Sequence, residues 1–385
     1  MKKGEYVTML KKFLLICAML AAAWCAAQPP KEAGKIRAGL YVDHGSRGSG
    51  ALYWARLLAD SPQIELVLLE GEDLRQGKLD TLDLLVMPGG ASGLQMKSMG
   101  KAGAEAVRRF VANGGAYVGT CAGMHCTMNK PDRLGLLPFT RLDNASGAEA
   151  ALSVEFTPEG AKRFGIPPGR HVVRYSHGPV VAPSARPGEG RCEVVATYSS
   201  SITPLGRENR SFFGTPSALF GEYGKGKVAV TSFHPESYAS TRCIALGMIY
   251  ATTGVKPTVE FPGKSFRPLR VGYFSRAIVG KRCTEDALAL DREAEFDVRF
   301  TDCTDIDTGA LEHLDAMIFA DGYERRYERD LTPRRRQAIS DFMRRGGRVI
   351  ASGVAVKYLP EHTNLIVKPE NRTFAEVLKS LSAAK

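Results

Sequence analysis

A chain of 385 residues, 24% charged and 44% hydrophobic, is long enough for two ordinary cores and has the composition of neither a disordered nor a membrane protein. Its formal charge of +11 is spread out except at Arg334-Arg335-Arg336 and Arg344-Arg345, which fall in a predicted helix and read as its solvated face. No interleaved aromatics or recognition motif accompanies them, so the expectation is no nucleic-acid partner, with only loose adsorption to anionic surfaces left open.

Residues 1–27 are set aside from the fold. Lys2, Lys3, Lys11 and Lys12 form a basic stretch, Phe13 to Ala23 a short apolar run, and Cys25-Ala26-Ala27 offers small residues at a cleavage point before Gln28. The run is too short to span a bilayer. It is expected to be a secretory signal peptide, with an uncleaved anchor as the alternative and Met9 as a second candidate start. Trp24 before Cys25 is a poor context for lipidation. Cleavage removes four lysines and Glu5, lowers the formal charge from +11 to +8, leaves no stable membrane span, and puts the protein in the periplasm or outside the cell. Of eight cysteines, Cys17 and Cys25 leave with the signal. Among the other six, pairs such as Cys192 with Cys243, or Cys283 with Cys303, suit an oxidising compartment, though spacing does not choose a connectivity. No cysteine or histidine cluster has zinc spacing, and neither a metal nor a cofactor is expected.

After a leader (28–35), Ile36 to Val42 reads as a first strand, Gly45 to Gly50 as a plain strand-to-helix turn, and Ala51 to Ala59 as a helix. The glycine loop matches neither dinucleotide nor P-loop spacing. Ile64 to Leu69 and Leu82 to Met87 are two more strands, the latter an unbroken apolar run suited to burial on both faces. Pro88-Gly89-Gly90 stops it, and Ala102 to Asn113 is an amphipathic helix ended by Gly114-Gly115. Strands alternating with helices specify a parallel, doubly wound sheet, which takes ligands beyond the carboxyl ends of its strands. From Thr140 to Phe220 the pattern turns to short β-like runs (Leu152 to Phe156, His171 to Tyr175, Val194 to Tyr198, Ser217 to Tyr223), several expected to be antiparallel and to wall the site. Val228 to Phe233 is another core strand, Thr241 to Thr253 a closing helix, and residues 256–268, with three prolines, a linker.

The stretch Tyr117-Val118-Gly119-Thr120-Cys121-Ala122-Gly123 has the strand–turn–helix grammar of a nucleophile elbow, with cysteine where hydrolases carry serine. A Cβ on either glycine would collide with its neighbours, and the strained turn holds the central side chain out. The ordinary alternative is a small apolar cysteine packed at a strand end. His234-Pro235-Glu236 ends the strand after the insertion. That position can bring an imidazole to the rim that holds Cys121, with Glu236 fixing its tautomer. By itself His-Pro-Glu is a surface turn; together with the elbow and Pro-Gly-Gly it reads as a triad. The amides of Gly90 and Ala122 are the candidate oxyanion donors, and Gly89 keeps the approach open. His177 and His125 are candidates for the pocket, His125 being more simply a packed or capping histidine and Cys126 a core thiol.

Residues 269–385 repeat the first half. Leu314 to Gly322 mirrors Leu82 to Gly90, and Gly346 to Gly353 mirrors Gly114 to Cys121, both at an offset of 232. Gly353 stands opposite Cys121 and nothing matches His-Pro-Glu. This copy is expected to be a catalytically empty flavodoxin-like domain, available for docking or for homo-oligomer formation.

Met87-Pro88-Gly89-Gly90, Phe110 to Gly123 and Tyr175-Ser176-His177-Gly178-Pro179 resemble blocks of the class I glutamine amidotransferase-like superfamily, in particular the subgroup named after the N-terminal domain of biotin–protein ligase. The resemblance covers residues 36–255. It implies a flavodoxin-like α/β fold and Cys121, His234 and Glu236 as nucleophile, base and orienting carboxylate. No biotin-ligase catalytic domain and no synthase to receive ammonia follows residue 255. The first expectation is therefore an exported thiol-dependent amide hydrolase or acyl transferase acting on a small-molecule or peptide amide. The second is a binding or scaffold protein with a vestigial triad, and the third a redox sensor through Cys121 and Cys126.

Overall fold

The computed structural model describes residues 34–46, 48–144, 149–183, 192–200 and 212–383; the expected signal segment lies outside them. From Ile36 onward the chain packs as one unit around two sheets. The first half runs β1 (Ile36–Tyr41), α1 (Gly48–Ala59), β2 (Ile64–Leu69), α2 (Gly71–Arg75), β3 (Leu84–Met87), α3 (Ser92–Ala112), β4 (Ala116–Thr120) and α4 (Ala122–Cys126). There follow β5 (Phe139–Asn144), β6 (Glu149–Phe156), α5 (Pro158–Phe164), β7 (Gly169–Ser176), β8 (Pro179–Pro183), β9 (Cys192–Tyr198), β10 (Pro216–Tyr223), β11 (Gly226–Thr231) and α6 (Arg242–Thr253).

Nine of these strands make one sheet in the order β2-β1-β3-β4-β11-β10-β9-β6-β7. It is parallel from β2 to β11 and antiparallel from β11 to β7. Alternation along β3 explains why both faces must be covered. Leu84 and Val86 join Trp54, Leu57 and Leu58 of α1 in one apolar cluster, while Leu85 and Met87 join Val107, Phe110 and Val111 of α3 in the other. The strands of the insertion thus extend the main sheet. Among the described residues of this half, only β5 and β8 pair apart from it.

Two helices differ from expectation. The first begins at Gly48, inside the predicted turn, where a Cβ would overlap the Ser275 carbonyl oxygen of the second half. That glycine serves packing. The second, α3, starts at Ser92, ten residues early, and is interrupted at Gly100, whose φ of 68° and ψ of 179° break the helical pattern into two pieces.

The second half runs β12 (Leu269–Phe274), α7 (Lys281–Arg292), β13 (Phe296–Thr301), α8 (Cys303–Asp307), β14 (Ala316–Phe319), α9 (Glu324–Asp330), α10 (Pro333–Arg344), β15 (Arg348–Ala351), β16 (Leu365–Val367) and α11 (Phe374–Ala383). Its sheet, β13-β12-β14-β15-β16, is all parallel and has the strand order of β2-β1-β3-β4-β11. That order is the flavodoxin-like one. The correspondence reaches single hydrogen bonds. Arg37 N donates to Asp83 Oδ2 at 2.8 Å and Arg270 N to Asp315 Oδ2 at 2.9 Å. Ala91 N donates to Gly45 O at 2.7 Å and Tyr323 N to Ala277 O at 2.9 Å. Glu70 with Asp73, and Asp302 with Asp305, form equivalent capping boxes at α2 and α8.

The halves are joined by specific polar contacts. Arg56 Nε meets Asp291 Oδ2 at 2.7 Å with its guanidinium over the Phe300 ring, and Arg174 Nη2 reaches Asp302 Oδ2 at 3.3 Å. Leu52 of α1 sits in the apolar cluster of the second sheet. All six cysteines of the described chain are free thiols, which corrects the expected disulfides. Cys283 Sγ donates to Asp321 O, Cys303 Sγ to Asp330 O and Cys243 Sγ to Ser240 O, so these sulfurs are spent on separate carbonyls.

Candidate active site

Three neighbouring parallel strands end at one level. Met87 of β3 pairs with Gly119 of β4, and Thr120 of β4 with Thr231 of β11. The residues that follow therefore meet: Pro88-Gly89-Gly90, Cys121, and Ser232 to Glu236. Cys121 N donates to Thr231 O at 2.8 Å, which ties the elbow to β11. Cys121 itself adopts φ 51° and ψ −101°, a conformation costing about 1–3 kcal/mol that persists only where its surroundings impose it. They do so here through glycine. An added Cβ at Gly123 would overlap the Met87 carbonyl, and one at Gly119 would lie 2.7 Å from the Gly123 carbonyl carbon. The helix beyond has only five residues, so it offers a terminal amide and little dipole.

The antiparallel half of the sheet curls until its last strand returns to this rim. His234 N donates to Arg174 O at 2.9 Å, a bridge between the segment after β11 and β7. Tyr175, Tyr198 and Phe212 fill the bend, with Tyr175 Oη donating to Gly178 O. The turn Ser176-His177-Gly178 thereby lies against the elbow, and Cys121 Sγ donates to Ser176 O at 3.5 Å. Cys121 is 5% exposed. A solvent-facing sulfur was expected; the structure has it sheltered, because a segment 55 positions later in the chain covers it. Its neighbours are nonetheless polar: Ser176 O, Thr231 O and His234.

His234 and Glu236 are 3% and 1% exposed. His234 Nδ1 lies 2.8 Å from Glu236 Oε1, which puts the Nδ1 proton toward the carboxylate and turns Nε2 to the sulfur side. Burial drives the imidazole pKa down, but the Glu236 carboxylate, a hydrogen bond with Cys121 and the charge of that sulfur outweigh it and raise it to about 9. Cys121 Sγ thus lies in reach of both Ser176 O, at 3.5 Å, and the His234 imidazole. Gly89 is glycine for a local reason, since a Cβ there would overlap His234 Cε1. Gly50 of α1 faces Glu236 Oε1 as well, but a Cβ there would stand at 3.5 Å, an ordinary contact, so that position does not demand glycine.

The second half shows what the backbone at this rim can bind. Gly353, the counterpart of Cys121, has φ 57°. Asp321, the counterpart of Gly89, folds its carboxylate back so that Oδ1 accepts from Gly322 N and Val354 N, both at 3.0 Å. Those two amides correspond to Gly90 and Ala122. In this half the convergence of the two donors on one oxygen is directly visible, and it is filled from within. A Cβ at Gly353 would overlap that carboxylate.

Of the remaining candidates, His177 sits half-buried in the covering turn with φ 59°; it and Cys121 are the non-glycine residues with positive φ among the described residues. Its Nδ1 is 3.1 Å from Ser176 Oγ. His125 turns elsewhere, to Ser92 Oγ at 2.8 Å and Arg133 Nε at 3.4 Å. Burial and the cations Arg133, Arg141 and Lys130 lower its pKa to about 4, so it is a neutral packing group. Cys126 is fully buried, donates toward Gln95 Oε1, and is pushed up to about 12 by burial. Residue-by-residue reading missed Ser176, whose carbonyl receives the thiol, and Asp321; the first lay inside the Tyr-Ser-His-Gly-Pro block, the second in a copy judged by what it lacks. Among the described residues no group of three or more His, Cys, Asp or Glu could hold a metal, and no helix is long and apolar enough to cross a membrane.

Residues 76–130, which span β3, α3, the elbow and α4, match the family model for the biotin-protein ligase N-terminal region. No curated protein matches the chain. Among solved structures, PurLQS from Thermotoga maritima is 17% identical, with 56% of this chain and 98% of that one covered and a TM-score of 0.41. A glutamine amidotransferase is 25% identical over 57% of this chain and 99% of that one, TM-score 0.39. A ThuA-like protein from Bacteroides uniformis ATCC 8492 is 16% identical over 58% and 95%, TM-score 0.42. The chain is thus an α/β protein whose parallel strands run in flavodoxin-like order, with a region over residues 76–130 similar to the N-terminal part of biotin–protein ligase.

Proposed function

We propose that the chain is a thiol-dependent amide hydrolase or acyl transferase in which Cys121, His234 and Glu236 act together. The observation that carries this reading is the buried pair of His234 and Glu236 at 2.8 Å, with the same imidazole in hydrogen-bonding reach of Cys121. Glu236 holds the imidazolium, and His234 receives the thiol proton. The sulfur attacks the carbonyl carbon of a carboxamide, a C–S bond forms, and the oxygen takes the charge against the amides of Gly90 and Ala122. His234 then gives its proton to the amide nitrogen, the C–N bond breaks, and a thioester remains. Water, or another acceptor, attacks the thioester while His234 takes up its proton; the acyl group departs and the thiol is restored. The second half has the same strand order but no counterpart of the triad, which agrees with a non-catalytic role there. Export through residues 1–27 belongs to the same proposal. Ammonia released outside the cytoplasm diffuses away, so hydrolysis or transfer fits better than glutamine-fed synthesis.

A second reading, a binding protein with a resting triad, is favoured by one observation, the 5% exposure of Cys121. Alkylation with iodoacetamide at neutral pH, followed by peptide mass spectrometry, separates the two. Under the catalytic reading Cys121 is modified faster than the exposed Cys243, and His234→Ala slows it by about tenfold or more. Equal labelling of Cys121 in wild type and His234→Ala, slower than Cys243 in both, supports the binding protein.

A further inference from the structure

The strand β7 touches both the sulfur and the base of the proposed triad. It is the last strand of the nine-stranded sheet and pairs with β6 in a register that sets Arg174 against Ala151 and Ser176 against Glu149. Backbone groups of a strand alternate between its two edges, so residues 174 and 176 present their carbonyls to the same one. Both carbonyls are taken up by the site. Arg174 O accepts from His234 N at 2.9 Å, and Ser176 O accepts from Cys121 Sγ at 3.5 Å. The two-residue repeat of β7, about 6.7 Å, thus spaces the thiol from the backbone of the histidine.

The side chain of Arg174 anchors that edge. Its largely buried guanidinium has Nη2 3.3 Å from Asp302 Oδ2 of the second half and 3.7 Å from Glu149 Oε2 of β6. Burial drives the guanidinium pKa down, but Glu149, Asp302, Tyr53 and Glu236 outweigh it and raise it. The cation therefore stands within the field of the carboxylate that orients His234. Asp302 divides its own work: Oδ1 caps α8, accepting from Thr304 N at 2.8 Å, and Oδ2 takes Arg174. Glu70, its counterpart at the offset of 232, reaches across the other way and accepts from Lys281 N at 3.0 Å. The halves grip each other through matching capping acids, and the grip at Asp302 ends on the strand that holds the site. Tyr53 of α1 fixes the same face of the second half, donating to Phe300 O at 3.3 Å and meeting the Phe300 ring edge to face.

We propose that Arg174 is a positioning residue for Cys121 and His234, and that Asp302 holds it in place, so that the second half, with no triad of its own, sets the geometry of the first half's. The proposal rests on the catalytic reading of Cys121, His234 and Glu236. Breaking the contact between Arg174 and Asp302 releases the end of β7, and with it the two carbonyls that keep sulfur and imidazole in reach of each other. Both acids are met by one nitrogen, Nη2, and not by a fork, so lysine can replace arginine here as a point charge.

The test is the pH dependence of Cys121 alkylation by iodoacetamide in the full chain, read by peptide mass spectrometry against the exposed Cys243. A thiol paired with an imidazole reacts at lower pH than a lone one, whose midpoint is about 8.5. A merely loosened cover raises the rate at every pH and leaves the midpoint where it was. Arg174→Gln, and Asp302→Asn, which keeps a side-chain oxygen to cap α8, are expected to raise the midpoint by about one pH unit, a tenfold change in the ion-pair equilibrium. Arg174→Lys should keep the wild-type midpoint. His234→Ala separates the two levels of the argument. A midpoint that His234→Ala does not move sinks the catalytic reading and this proposal together. A midpoint moved by His234→Ala but by neither Arg174→Gln nor Asp302→Asn overturns the proposal and leaves the reading standing. A shift in Arg174→Gln without one in Asp302→Asn overturns the role given to the second half, and a shift as large in Arg174→Lys overturns the role given to the charge. Should Arg174→Gln fail to fold, Asp302→Asn decides.

Discussion

Replacing Glu236 with Gln removes one charge from a fully buried pair and keeps its volume. In the native protein the Glu236 carboxylate is the largest of the influences that oppose burial and lift the His234 pKa from 6.5 to about 9. That rise corresponds to about 3 kcal/mol in favour of the imidazolium. Because the folded pKa is the higher one, this stabilisation is complete below about pH 6.5, declines as the pH climbs, and is gone above about pH 9. In Glu236→Gln the largest of those influences is lost and the folded pKa falls toward what burial and Cys121 leave. The stabilisation of the imidazolium at acid pH shrinks with it. Urea unfolding of both proteins between about pH 6 and pH 10 should give a stability gap of about 3 kcal/mol at the acid end that closes toward the alkaline end. NMR titration of the His234 ring in the same samples reports the two pKa values directly. A gap that does not change with pH, or a variant ring that still titrates near 9, refutes the reasoning.

Further outcomes follow from the same contacts. Gly89→Ala places a methyl group on His234 Cε1, and is expected to displace the ring and slow Cys121 alkylation to the His234→Ala rate while the circular dichroism spectrum is unchanged. Gly123→Ala drives a methyl group into the Met87 carbonyl and should cost about 2–4 kcal/mol in urea unfolding, or prevent folding. Arg56→Ala removes the partner of Asp291 and the cation over Phe300; with the acid left nearly buried, a loss of about 2–4 kcal/mol is expected, read as an earlier unfolding transition. Turnover of any amide substrate found for the chain should decline above about pH 9, as His234 loses the proton it gives to the leaving nitrogen.

Much of this architecture was legible beforehand because it rests on local pattern. The apolar run ending at Met87 and the Gly-x-Cys-x-Gly turn carry their meaning within ten residues, and the two halves repeat short blocks of that kind at one offset. Most of the misreadings come from contacts made far along the chain. Gly48 reads as loop until Ser275 is seen against it. Residues 92–99 carry Gly93 and end at Gly100, so their helical period is too weak to detect alone. The shelter over Cys121 depends on how far the antiparallel strands curl, which alternation along β6, β7 and β9 does not encode. The cysteine pairs failed for a related reason: compartment predicts whether disulfides are tolerated, and geometry decides whether two sulfurs meet.

The carboxylate of Asp321 gives the chain an internal reference ligand. Sliding the second half onto the first by 232 positions carries Asp321 Oδ1, held at 3.0 Å from Gly322 N and Val354 N, toward Gly90 and Ala122, and so supplies a starting coordinate for the acyl oxygen of any compound to be docked there. The same overlap makes two changes interdependent. A side chain at 353 and this seating of Asp321 exclude each other, so restoring a cysteine to the second half requires emptying position 321 first, and a chain carrying both Asp321→Gly and Gly353→Cys is the smallest edit that would give the second rim the first one's grammar.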